Sequence, residues 1–460
     1  MQIPSPNEPD LDRPVSRIVV GRWAESHSIG RRAGFPAAGE SRSASGMDRC
    51  RLGVWSVLMA TSRLAGAGGV GGVWQSVGVR VAVVAGPDPG HAFPAIALCE
   101  RLLAAGDEPV LFTSPRWFDA ARDAGIGVRR LKGLAPRAED DDDDAGSKIH
   151  QRAAHISTEI LPDLSAMLPE LVVSDVLTAG GGMAAERLRL PWVELSPHPL
   201  YLPSKGLPPI GSGLAVGEGV RGRARDSVLR GLTSRAIRRG ESQREQARAS
   251  IGLPPQDPGP TARLVATLPA LEVPRPDWPD NAHLVGPLLW EPTDHILDLP
   301  PGDEPLVMVA PSTAQTGTAG LAELALEALE GAGVRVAVSM LDTPPADLPA
   351  WATAGLGRQD ALLRHASVVI GGGGHGLLAK TLLAGVPIVT VPGGGDQWEL
   401  ANRAARQGSS ILVRPATPES LRDAVKRILD DPAYTAAAHS AATGISVVSD
   451  PVEICHAATR

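Results

Sequence analysis

The residues of this chain best suited to chemistry cluster in the stretch from Ala366 to Asn402, ASVVIGGGGHGLLAKTLLAGVPIVTVPGGGDQWELAN. A β-branched run, Val368 to Ile370, passes into six residues with little side-chain cover, Gly371 to Gly376, and Leu377 to Ala384 then has helix-forming composition. A bare backbone between a strand end and a helix start offers free amide N–H groups and the positive end of the helix dipole, which suits a phosphate. Gly373, Gly374, His375 and Gly376 form that candidate cradle. Ser312 and Thr313 follow another strand-like run and could add hydroxyl and amide donors. Asp396 and Gln397 follow a second glycine loop, where a carboxylate and an amide suit the vicinal hydroxyls of a sugar. Helix capping by Asp396 is the plainer alternative.

A second group lies far upstream. His91 follows the first strong strand pattern, in a loop reading Ala85 to Phe93, and an imidazole accepts a proton near neutral pH. Asp175 ends the run LVVSD. If the two strand ends are neighbours, the aspartate fixes the imidazole tautomer and leaves the other ring nitrogen as a base. Nothing in the sequence demonstrates that contact.

These groups need a scaffold that gathers strand ends. Val79 to Val84 reads as a buried strand, Pro94 to Ala105 as a helix, and Pro109 to Thr113, Leu171 to Ser174 and Trp192 to Leu195 as further strands, with Gly180 to Leu188 helical. After a middle rich in proline and arginine, alternation restarts at Pro305 to Ala310 and continues to a helix over Pro418 to Leu429. The pattern predicts an α/β protein of two Rossmann-like doubly wound domains facing a cleft, an economical division of 460 residues. The expected bounds are 1–77 as a disordered extension, 78–283 and 284–435 as the domains, and 436–460 as a tail helix.

Composition narrows the partners. A formal charge of −7 gives no general attraction to nucleic acid, and no nucleic-acid-binding motif is present. Three well-separated cysteines suit a reducing cytoplasm and neither a disulfide framework nor a paired metal motif. The acids Glu139 to Asp144 read as a solvated loop in preference to a metal site. Nine arginines against three acids between Arg221 and Arg248 read as an exposed helical face, or as a patch that meets an anionic membrane surface peripherally or an acidic acceptor.

In chain order, GPDPGHAFP, LVVSD, GRQDALLRHASVVIGGGGHG and GVPIVTVPGGGDQ resemble the nucleotide-sugar-dependent glycosyltransferases of the glycosyltransferase B (GT-B) fold, close to the UDP-glycosyltransferase and macrolide glycosyltransferase group. The resemblance covers about Val79 to Pro432 and implies an acceptor-binding first domain, a donor-binding second domain and a tail crossing back. It implies that His91 is the general base and Asp175 its partner, in an inverting, metal-independent transfer to a hydroxyl of a small hydrophobic acceptor. No cofactor is implied beyond the co-substrate, a UDP- or TDP-sugar, held by Ser312, Thr313, Gln359, the glycine loop, Asp396 and Gln397. The family's phosphate histidine falls on Gly372, its following hydroxyl residue on Leu377 and its ribose-binding glutamate on Lys380. The expected compensations are His375 for the histidine and a Lys380–phosphate pair. Leu356 falls near the residue on which many members stack the base, and the family's asparagine after the aspartate appears late, at Asn402.

Two other functions fit parts of the pattern. Gly371, Gly373 and Gly376, with Asp396 beyond, satisfy a dinucleotide fingerprint and suit an NAD-dependent oxidoreductase. A non-catalytic ligand-binding relative is the third reading. The acceptor pocket is expected to draw on the loops Arg137 to His155 and Leu200 to Gly213.

Overall fold

The computed structural model describes residues 78–137, 140, 144–313, 318–345 and 347–460. The extension expected over 1–77 lies outside the described residues. Within them are two parallel sheets. The first contains β1 (Arg80–Val84), β2 (Glu108–Thr113), β3 (Gly127–Arg130), β4 (Leu171–Asp175), β5 (Trp192–Ser196), β6 (Ala262–Val265) and β7 (Ala282–Leu284), in the spatial order 3-2-1-4-5-6-7. The second contains β8 (Leu306–Ala310), β9 (Arg335–Ser339), β10 (Ala352–Gly355), β11 (Ala366–Gly371), β12 (Ile388–Thr390) and β13 (Ser410–Leu412), in the order 10-9-8-11-12-13.

Central strands of this kind are covered on both faces, and their sequences show it. Every residue of β4 and β8 is buried, as are the last four of β1. Strand order reverses between β1 and β4 in one sheet and between β8 and β11 in the other. At such switch points the loops from adjacent strands diverge and open a crevice at the carboxyl edge. His91 and Asp175 follow one reversing pair; Ser312 and the glycine loop follow the other.

Several elements differ from the sequence reading. The first helix begins at Pro89, five residues before the expected start, so His91 lies in a first helical turn and not in a loop. Strands β3, β6, β7 and β10 were not anticipated: each has three or four residues, and β3 is largely exposed. Half of the expected pocket loop Arg137 to His155 belongs to the helix Ala145–Met167, whose apolar side packs in a core with Phe112 and Val172. The acid run is not uniformly solvated. Asp140 pairs with Arg152 and His155, and Asp144 caps that helix at Ser147 N while pairing with Arg239.

The arginines occupy a 32-residue helix, Gly219–Ser250. Arg248 is fully buried in a two-pronged pair with Glu186, whereas Arg221, Arg235 and Arg238 are exposed. No helix among the described residues is long and apolar enough to cross a membrane. The chain ends with Ala433–Thr443 and Pro451–Ala458, and the last helix returns to the first domain. Val452 and Cys455 enter the core beside Ile96 and Leu102, and His456 Nε2 lies 2.8 Å from Asp107 Oδ2.

Candidate active site

Side-by-side pairing of β1 and β4 brings the two upstream residues together. His91 Nδ1 lies 2.8 Å from Asp175 Oδ2, with the carboxylate fully buried and the imidazole 17% exposed. Asp175 Oδ1 accepts from Leu177 N at 2.9 Å, which fixes the carboxylate plane. Burial alone would lower the basicity of His91, but the charge and hydrogen bond of Asp175, aided by Asp88 and Asp396, raise its pKa above the ordinary 6.5. A neutral His91 with its proton on Nδ1 directs the Nε2 lone pair away from Asp175.

A second imidazole, absent from the sequence reading, stands beside it. His198 follows β5, the strand paired to β4 on the far side from β1. Its ring meets that of His91 edge-on at 6.4 Å between centres and stacks on Tyr201 at 4.4 Å. The Tyr201 hydroxyl donates to Asp396 Oδ2 at 3.4 Å, linking this edge to the second domain. The signal for His198 was the one that found Asp175, a polar side chain just past a buried strand. Its flanking prolines, Pro197 and Pro199, obscured that strand end.

The glycine loop divides into a packed and an open part. A methyl group at Gly371 would lie 2.2 Å from Leu377 Cδ2, and one at Gly372 would press on Gln397 and Ser312. Gly373 has φ +77°, the left-handed region that glycine adopts without strain. By contrast a methyl at Gly374 or Gly376 meets nothing within 4 Å. Gly374 opens the helix His375–Leu383, and no side chain caps it. Its first amides have no side-chain acceptor, the arrangement that suits an anion.

Other donor-site candidates are occupied within the protein. Gln397 is 3% exposed; its Nε2 donates to Ser312 Oγ at 2.9 Å and its Oε1 accepts from Gly393 N at 2.9 Å. It braces the loops around the glycines, and its amide does not stand ready for a sugar hydroxyl. Thr313 is exposed beside Ser312. Asp396 stands at the N-cap position without making a side-chain cap, so its carboxylate turns to Tyr201 and not to the helix.

Both expected compensations are revised. His375 Nε2 lies 2.8 Å from Thr267 Oγ1 of the first domain, and burial, with His198 nearby, lowers its pKa to about 3. It is a neutral hydrogen-bonding group and does not supply a positive charge to phosphate. Lys380 is paired with Glu291 at 2.7 Å and reaches Trp290 O and Gln359 Oε1 at 3.2 and 3.3 Å. Gln359 N in turn donates to Glu291 Oε2 at 3.1 Å. The ammonium group is thus spent on its neighbours. Leu356 is 40% exposed.

The loop over 200–213 is fastened to the helix Gln397–Gln407. Trp398 Nε1 donates to Ser212 O, Gly213 N to Glu399 Oε2, and Arg406 Nη1 to Gly213 O, at 3.2, 2.8 and 2.7 Å. As for the dinucleotide fingerprint, it follows β11, the fourth strand of its sheet in chain order, whereas that motif opens a domain at its first strand. Among the described residues no cluster of three or more metal-ligating side chains occurs.

Comparison with known proteins bears on the fold and on the second domain. Residues 356–459 match the family model described as Erythromycin biosynthesis protein CIII-like, C-terminal domain. The 4'-demethylrebeccamycin synthase of Lentzea aerocolonigenes is 26% identical over 395 residues, covering 78% of this chain and 93% of that protein. Among solved structures, the glycosyltransferase of kitacinnamycin superposes with a TM-score of 0.64 at 20% identity, over 83% of this chain and 97% of that one. The Streptomyces sp. SF2575 glycosyltransferase SsfS6, complexed with thymidine diphosphate, superposes with a TM-score of 0.56 at 21% identity, over 82% and 99%. The chain has the GT-B fold and an erythromycin-CIII-like C-terminal domain, and is a glycosyltransferase homologous to the macrolide and UDP-glycosyltransferases.

Proposed function

We propose that this protein transfers a sugar, with inversion and without a metal, from a nucleoside diphosphate to a hydroxyl of a small hydrophobic acceptor. The observation that carries the reading is the His91–Asp175 pair at 2.8 Å, with Asp396 of the second domain near enough to raise the basicity of the same imidazole. In this reading His91 Nε2 takes the acceptor's hydroxyl proton while Asp175 steadies the imidazolium. The acceptor oxygen forms a bond to the anomeric carbon as the bond from that carbon to the diphosphate oxygen breaks. The nucleoside diphosphate departs with the bonding pair, and the open amides at Gly374 to Gly376 stabilise the charge it acquires.

The thymidine diphosphate complex of a relative with the same fold favours TDP over UDP as the carrier. Asp396 holds sugar hydroxyls in this scheme while keeping Tyr201 as its partner. Ser312 and Gln397 shape the loops, while Thr313 and Gln359 border the nucleotide. The exposed arginines of the long helix meet an anionic membrane surface as a peripheral contact.

The test is transfer from TDP- and UDP-glucose to a panel of aromatic and macrolide alcohols, with product configuration read by NMR. The expected product has the anomeric configuration opposite to the donor, and His91→Ala abolishes its formation. Retention of configuration, or full activity in His91→Ala, refutes the mechanism. Nucleotide binding with no transfer to any acceptor favours a non-catalytic binding protein.

A further inference from the structure

His198 has no role in the mechanism above, yet it is fixed at the site from three sides. Its Nδ1 lies 2.8 Å from the carbonyl oxygen of Pro199, and only an Nδ1–H can donate there. Tyr201 covers one face, and His91 stands at the edge. Tyr201 is itself fixed by Asp396 and by the guanidinium of Arg403 over its ring, 5.7 Å from the centre. The imidazole is therefore locked in one rotamer and one tautomer.

That tautomer leaves Nε2 as a bare lone pair. No described residue donates a hydrogen bond to it, and it is not among the buried atoms sealed away without a partner. The ring stands with His91 at the carboxyl edge of the first sheet. Burial lowers the pKa of His198, so the ring remains neutral and acts as an acceptor at neutral pH. The neighbouring titratable groups are His91, Asp175, Asp396 and His375, and among them only His91 is a second hydrogen-bond acceptor of the same kind on this sheet edge.

We propose that His198 Nε2 is a second anchor for the acceptor, accepting a hydrogen bond from a hydroxyl other than the one that reacts at His91. The inference rests on the sugar-transfer reading and adds to it a chemical class: a rigid, largely apolar diol whose hydroxyls are spaced to reach two imidazoles with ring centres 6.4 Å apart. A locked acceptor discriminates strongly, because an analogue lacking the hydroxyl leaves a desolvated lone pair unsatisfied. The ordering has already been done by Pro199 and Tyr201, so little entropy is lost on binding.

The experiment is long-range 1H–15N NMR of the imidazoles in the full chain, with His198 assigned by its loss in His198→Phe. The probes are 2,7-dihydroxynaphthalene, 2-naphthol and TDP-glucose. In the free protein, Nε2 of His198 is expected to resonate as an unprotonated nitrogen; the diol moves it upfield and binds at least about tenfold more tightly than the naphthol. His198→Phe keeps an aromatic ring against Tyr201 and is expected to remove the diol's advantage. Four results overturn the proposal: an Nε2–H tautomer, no saturable binding of the diol, equal affinity for the two aromatics, or an advantage that survives in His198→Phe. A response to TDP-glucose alone also overturns it, because the hydroxyl recognised is then the sugar's. Binding is measured apart from turnover, so a diol preference without any sugar transfer would sink the enzymatic reading and leave the anchor standing.

Discussion

Replacing Asp175 with asparagine should reverse the sign of the pKa shift at His91. In the native site burial depresses the imidazole's basicity, and the carboxylate at 2.8 Å more than offsets it, so the net shift is upward from 6.5. With charge centres about 4 Å apart and an effective dielectric near 20, the attraction is roughly 4 kcal/mol. At about 1.36 kcal/mol per pKa unit, that sets a ceiling of about three units on the fall when the charge is removed. Burial then dominates, so His91 in Asp175→Asn should titrate below 6.5 and below its native midpoint. The assay is the pH dependence of the His91 Cε1–H resonance, which needs no substrate. A midpoint that stays above 6.5 in the variant refutes the electrostatic account. Stability should follow the same proton. A histidine with a raised folded pKa stabilises the fold most below the unfolded value, and the contribution fades as pH rises through the folded value. The stability gap between native protein and Asp175→Asn should therefore be widest in acid. In a transfer assay the acid limb of kcat/KM should move with the NMR midpoint while kcat falls on the order of a hundredfold or more.

The glycine loop offers a paired test. Gly374→Ala should fold with native stability while its TDP affinity falls about tenfold; Gly371→Ala should cost about 1–3 kcal/mol in denaturant melts because its methyl meets Leu377 and Ala310. Equal stability of the two variants would contradict the division into packed and open glycines. His375, with its folded pKa lowered to about 3, supports a fold that is intact above pH 6.5 and loses up to about 1.4 kcal/mol per unit as pH falls toward 3. His375→Asn should flatten that slope in pH-dependent melts, and an unchanged slope would count against a neutral imidazole. For the arginine helix, Arg221, Arg235 and Arg238 share an exposed surface with Val220, Val228 and Leu232, which are 77%, 64% and 74% exposed. Cosedimentation with phosphatidylserine vesicles should be salt-sensitive and fall about a hundredfold when the three arginines become glutamates. No binding at low salt would remove the membrane contact from the proposed function.

The central strands were legible because they are buried on both faces and must be continuously apolar, as LVVSD and LVMVA are. Asp175 and the open glycines followed from them by position at strand ends. Some short strands left no comparable trace: β7 has three residues and β3 ends in two arginines. The helix Ala145–Met167 follows a run of acids and contains Pro162, so local propensity concealed what packing against the first sheet determines. Partners distant in sequence were not legible at all. Gln397 bracing Ser312, Lys380 pairing Glu291 and His375 reaching Thr267 depend on how loops from separate strands converge. Residue type suggested ligand contacts for all three, and geometry gave them internal partners.

The fastening of Ser212 and Gly213 to Trp398, Glu399 and Arg406 bears on recombination between relatives. A chimera that exchanges the second domain at the sheet boundary would bring foreign side chains to a loop that belongs to the first, and would separate the last helix from the Asp107 and Ile96 surface it covers. The transplantable unit is thus discontinuous. A functional graft of a new donor domain must carry the native 200–213 loop contacts on its helix and keep the native final helix, Pro451–Ala458, with the first domain.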